Sequence, residues 1–204
     1  KANTTATNNT AVGTQALLAN TTGSGNTTVG KDSLKSNTTG GFNSALGHEC
    51  MALNINGSSN VAMGDFTLRS NTSGSSNTAI GASSLNANTT ASNNTAVGKS
   101  ALNQNTTGQY NVAVGSLALD ANTTGDQNTS IGYTALGANT NGQNNAALGT
   151  YTMAANTSGN NNTGLGYGAL GANTTANNNT AVGYKSLESN TTGIGNCAVG
   201  VNAL

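Results

Sequence analysis

Asparagine stands at position 9 and returns every seventeenth residue, at 26, 43, 60, 77, 94, 111, 128, 145, 162, 179 and 196, with no slip. Each opens the same phrase, cleanest as Asn94-Thr95-Ala96-Val97-Gly98. The 204 residues are one 17-residue unit written twelve times. A unit this short cannot bury an apolar face alone, so a strict period without insertions predicts identical coils stacked on one another. Residues 1–204 are expected to form one repetitive domain, a rod rather than a globule built around a pocket.

Numbering the unit from its Asn separates fixed positions from free ones. Position 1 is Asn and position 5 is Gly in every unit, the latter including Gly13, Gly98 and Gly183. Position 4 is always Val, Leu, Ile or Met, and position 9 is always Leu or Met. Position 12 is Asn throughout, from Asn3 by way of Asn20 and Asn105 to Asn190. Position 15 is Gly, replaced by Ala at residues 6, 91 and 176.

A helical coil is excluded, because Asn, Thr and Gly are poor helix formers and no i, i+3, i+4 apolar stripe exists. The start of the unit alternates instead, with Thr95 and Val97 on one face and Asn94 and Ala96 on the other. Positions 9, 11 and 13 alternate in the same manner. The expected architecture is an all-β solenoid with two short strands per coil. Gly at 5 and 15 marks corners with positive φ or close backbone approach. Asn at position 1 (Asn9, Asn26, Asn94, Asn179) and at position 12 (Asn20, Asn105, Asn190) is expected to stack into amide ladders. The aliphatics at 4 and 9 are expected to form the core. Positions 3 and 8 would then face away from it, yet they hold only Ala, Ser, Thr, Gly or Cys. Such uniform smallness predicts another backbone close by, hence a homo-oligomer with a shared core.

Composition narrows the function. Charged residues make up 6 % of the chain and the net charge is zero, too little to neutralise a run of phosphates or hold an anionic membrane. No apolar run is long enough to span a bilayer, so neither nucleic acid nor membrane insertion is expected. Asn supplies 36 residues, and Pro and Trp are missing, which alone would suggest disorder. The apolar register kept through twelve units argues for order. No signal peptide is visible. The chain reads as a window on a longer repetitive one. Cys50 and Cys197 fall nine units apart, about 43 Å at ~4.8 Å per coil. A disulfide between them is excluded, and both read as small buried residues.

Lys, Arg, Asp and Glu occur only at positions 6, 7, 10 and 16, from Lys1 to Glu188. Those positions must face water. The seven aromatics sit only at 6, 7 or 17. Tyr133, Tyr167 and Tyr184 share position 6 and would line one edge, either as edge packing or as a contact surface for a glycan or a neighbouring fibre.

No reactive constellation recurs. His48-Glu49-Cys50 has metal-ligand residue types but lacks a second His. Gly164-Leu165-Gly166-Tyr167-Gly168 resembles a nucleotide loop only superficially, since no strand-loop-helix context surrounds it. Calcium-binding β-rolls need an in-phase Asp, and none is present. With one His and acids scattered across phases, no acid/base pair or triad repeats. Neither an enzyme, a metal site nor a cofactor is expected. Asn-x-Ser/Thr sequons fill position 12 in ten units. Asn20, Asn37, Asn88, Asn122 and Asn173 are therefore candidate glycosylation acceptors, although an inward amide ladder would close them.

The phrase Asn-Thr-Ala-Val-Gly, two free residues, then Ala-Leu (Asn94 to Leu102; Asn179 to Leu187 with Ser186 for Ala) resembles the head repeats of trimeric autotransporter adhesins. It is also similar to repeats in bacteriophage tail fibres. The unit is longer than the usual adhesin repeat by an Asn-Thr-Thr-Gly segment. The resemblance implies a left-handed parallel β-roll assembled as a trimer on a cell surface or a virion. A structural and adhesive segment of an extracellular fibre is the function expected. Its partners would be itself, as a homotrimer or an end-to-end polymer, and a cell-surface glycan or receptor. The alternative is an ice-binding solenoid using Thr and Asn ladders.

Overall fold

The computed structural model describes residues 4–204; Lys1 and Asn3 lie outside the described residues. Each coil contributes one three-residue strand at positions 2–4, from β1 (Thr10–Val12) through β6 (Thr95–Val97) and β10 (Thr163–Leu165) to β12 (Cys197–Val199). The twelve strands form one parallel sheet in sequence order. Every residue pairs with its equivalent one unit away, as Thr95 does with Thr78 and Val112. The all-β solenoid expected from the period is thus observed, and its sheet is parallel.

The second strand expected at positions 9–13 is not found among the described residues, which form turns there. The cause lies at position 9. Leu34, Leu102 and Leu187 are left-handed, with φ of 49°, 51° and 49°, and a strand needs extended φ. Positions 7 and 17 are left-handed in every coil as well, including Glu49 at 49° and Tyr110 at 58°. Each such residue other than Gly costs about 1–2 kcal/mol. Neighbouring coils hold the geometry, because the hydrogen bonds still run from coil to coil. The Leu34 N–H donates to the Cys50 carbonyl at 3.0 Å, and the Thr38 N–H to the Ile55 carbonyl at 2.9 Å.

The strand alternates as expected, but its faces are reversed. Position 3 points inward, where Ala45, Ala79 and Ala96 are buried beside the position 9 side chains Leu34, Leu102 and Met153. Position 4 points outward, leaving Val12 57 %, Leu46 45 % and Leu165 43 % exposed. The asparagines decide the parity. Positions 1 and 3 share a face, and the position 1 amides turn inward to reach buried carbonyls, so 2 and 4 must face out.

Smallness at positions 3 and 8 therefore has an internal cause. The two positions meet across a narrow interior. The Thr28 hydroxyl donates to Ser33 Oγ at 2.6 Å, and the Ser84 hydroxyl donates to the Ala96 carbonyl at 3.0 Å. The coil itself supplies the close backbone that had suggested a partner chain.

Candidate functional site

The buried asparagines build the frame on which the outer surface is carried. Position 1 and position 12 amides of one coil converge on a single carbonyl at position 15. Asn9 and Asn20 both donate to the Gly23 carbonyl, at 2.8 and 2.9 Å. Asn94 and Asn105 donate to the Gly108 carbonyl, both at 2.9 Å, and Asn179 and Asn190 to that of Gly193, again at 2.9 Å. Asparagine oxygens link the coils: Asn9 Oδ1 accepts from the Asn26 N–H at 2.8 Å, and Asn20 Oδ1 accepts from the Asn37 amide at 2.9 Å. Buried polar groups are tolerated only when they are satisfied in this way.

Two consequences follow for the sequence expectations. Gly13, Gly98 and Gly183 are corners with φ of +133°, +138° and +128°, a region closed to other residues. The position 15 glycines have no such φ; a Cβ on Gly108 would instead run into the Gly125 carbonyl and Asn105 Oδ1. The sequon asparagines Asn20, Asn37, Asn88, Asn122 and Asn173 are buried, and their amide nitrogens are committed, as in Asn88 to Asn71 Oδ1 at 2.8 Å. A glycan on any of them would break the ladder and open the coil, so the structure overturns them as acceptors.

What varies is displayed just beyond the position 5 corner, where positions 6, 7 and 10 point outward. Two regions differ from the rest. In the second to fourth coils the side chains are charged. Asp32 lies 3.9 Å from Lys31 and 3.3 Å from Lys35; Glu49 pairs with His48 at 3.7 Å and with Arg69. His48 meets the Phe66 ring edge-on at 5.2 Å. No cluster of three metal-ligand residues occurs among the described residues.

In the eighth to eleventh coils the same positions carry tyrosine. Tyr133, Tyr167 and Tyr184 do align, and Tyr151 at position 7 fills the gap between the first two. Ring centroids lie 5.4 Å apart for Tyr133–Tyr151, 5.8 Å for Tyr151–Tyr167 and 5.5 Å for Tyr167–Tyr184; the first two contacts are edge-on and the last is stacked. Counting position 6 alone missed Tyr151; testing positions 6 and 7 together would have found it. All four rings are exposed. Lys185 Nζ sits 5.8 Å from the centre of the Tyr184 ring and 3.0 Å from Glu188. The hydrogen bond and charge of Glu188 hold the Lys185 ammonium above its usual range. Beside the rings runs a trench of about 400 Å³ lined by Tyr151, Tyr167, Gly168, Gly171, Lys185 and Glu188. Gly166 and Gly168 of the loop-like stretch are corners of the coil, with φ of +130° and +65°.

No protein-family model, curated protein or solved structure matches this chain.

Cys50 is buried, but Cys197, at the start of β12, is exposed, which corrects the expectation that both are interior; both are free thiols. Burial first, and then the Asp65 charge, push the Cys50 thiol up to about 12. The position 13 threonines from Thr4 to Thr157 donate to the next coil, as the Thr21 hydroxyl does to the Thr38 carbonyl at 2.9 Å and that of Thr123 to the Thr140 carbonyl at 2.9 Å. No helix among the described residues is long and apolar enough to cross a membrane.

Proposed function

We propose that the chain is a structural and adhesive segment of an extracellular fibre, joined to copies of itself through the outer face of its sheet. The observation that supports this is the position 4 row: Val, Leu, Ile and Met side chains lie along one parallel sheet with water on the outside. Thr27, Val29, Leu46, Val61 and Met63 line a shallow apolar groove on this face. Contiguous apolar surface of this kind marks an interaction site. Covering a half-exposed aliphatic contributes about 1 kcal/mol, and the row repeats that gain coil after coil. Three copies with their sheets inward is the assembly implied by the likeness to trimeric adhesin heads.

Light scattering and electron cryo-microscopy of the purified chain test the proposal. The expected result is a trimeric rod that falls to a monomer when Val97→Asp and Val114→Asp are combined. A wild-type chain that stays monomeric at high concentration would sink it.

A second reading attaches to the same face. Position 2 adds Thr27, Thr78, Thr95, Thr129 and Thr180 beside the aliphatics, so the sheet presents Thr and aliphatic rows at the coil spacing. An ice-binding role would use this face rather than position 13, whose hydroxyl protons are engaged by the backbone. Freezing hysteresis in a monomeric preparation distinguishes it.

A further inference from the structure

We propose that the tyrosine trench of the eighth to eleventh coils binds a neutral oligosaccharide. The inference deepens the adhesive half of the reading above and rests on it, but not on the assembly half. In a repeat, each position has internal controls, and here several depart together. Four of the five tyrosines of the chain stand on four consecutive coils. Between them, position 7 is Gly168 and position 10 is Gly171, where other coils carry side chains such as Phe66 with Arg69, or Leu117 with Asp120. The tenth coil has lost its side chains where its neighbours keep theirs, and the trench is the space left. Tyr151 walls one side. The Lys185–Glu188 pair walls the other; a Cβ on Gly168 would meet Lys185 Cγ at 3.4 Å and Glu188 Oε1 at 3.8 Å.

The chemistry of the walls selects the ligand. Exposed aromatic faces accept the C–H face of a pyranose ring. They are fixed here on a rigid stack, so little conformational freedom is lost on binding. Sugar hydroxyls both donate and accept. Glu188 needs donors, Lys185 needs acceptors, and the tyrosine hydroxyls serve either role. The pair is neutral overall, which favours an uncharged sugar over a sulfated or acidic one. A proline-rich peptide also seeks aromatic grooves, but it offers carbonyl acceptors with few N–H groups and would bring Glu188 no donor beyond Lys185. Spacings of 5.4 to 5.8 Å along the rings suit an extended chain of sugar units rather than a single one.

The chain has no Trp, so its intrinsic emission comes from tyrosine and chiefly from this patch. Titrating the intact chain with maltohexaose, cellohexaose, mannohexaose and chitohexaose, and with a proline decapeptide, reads the trench directly. A saturable change with at least one hexaose is expected. Three variants should weaken it tenfold or more: Tyr151→Ser and Tyr167→Thr, which use residues the repeat already places there, and Gly171→Arg, which fills the trench at a position where Arg69 is accommodated. Circular dichroism verifies that each is folded. Silence with all four sugars, a response unchanged in Tyr167→Thr and Gly171→Arg, or binding of the decapeptide alone would each overturn the proposal. Light scattering on the same samples separates the two readings. Trimers that bind no sugar sink only this one, and monomers that bind sugar sink only the assembly.

Discussion

The second to fourth coils and the eighth to eleventh share one backbone and differ in what they show to water. Positions 6, 7 and 10 hold Asp32, Lys35, Glu49 and Arg69 in the first region and Tyr133, Tyr151, Tyr167 and Tyr184 in the second. The corner, the asparagine clip and the left-handed residues are the same in both. Glu49 and Tyr151 even share position 7, with φ of 49° and 57°. Fold and surface are thus written in separate positions of the unit. One set closes the coil and tolerates almost nothing; the other faces solvent and is free to specialise. Ion pairs whose basic partners are exposed contribute little to stability, so the charged region adds solubility, whereas the tyrosine region exposes rings that cost solvation unless something covers them.

The scaffold between the two regions is the strongest place to test their independence. Gly98, with φ of +138°, would place a Cβ 2.5 Å from the Gly115 carbonyl oxygen. Gly98→Ala is expected to cost more than about 4 kcal/mol in its own coil. Because each coil touches only its neighbours, the two regions should then melt separately. Tyrosine emission follows one and circular dichroism follows both. A single unchanged transition would show that strain at this corner is relieved elsewhere.

A smaller effect concerns the thiols. A disulfide-exchange reagent at pH 8 is expected to label Cys197 at once and Cys50 only on unfolding. The folded Cys50 value, about 12, lies above its ordinary 9.0, so the folded state keeps a proton that the unfolded state releases. Stability is unaffected by this group below pH 9, and it falls as pH rises from 9 toward 12. Cys50→Ala, which matches Ala101 and Ala118 at the same position, should remove that part of the alkaline loss. The smallest change is expected from Arg69→Ala, under about 1 kcal/mol and vanishing in high salt, with tyrosine emission unmoved. A larger effect would mean that the charged region is structural and would erase the contrast.

Much of this was legible because the repeat shows each constraint twelve times. Asn at 1 and 12 and Gly at 5 announced ladders and corners, and the ladders and corners are there. The second strand and the inward Val were misread for one physical reason each. Leucine is not a residue expected in a left-handed turn, so Leu34 and its equivalents read as strand. Size suggested that Val97 belongs inside rather than Ala96, but the interior is too narrow for both Leu102 and a second large side chain at each level. Tyr151 escaped because a side chain one position along in the unit reaches the same line on the surface.

Nearly every contact between coils joins residue i to residue i+17, give or take a few positions. A duplication or deletion of whole units in the gene therefore gives every interior coil the neighbours it already had. Length becomes a quantity that evolution can change in steps without inventing a single new contact, while the outward positions of each new copy are free to diverge.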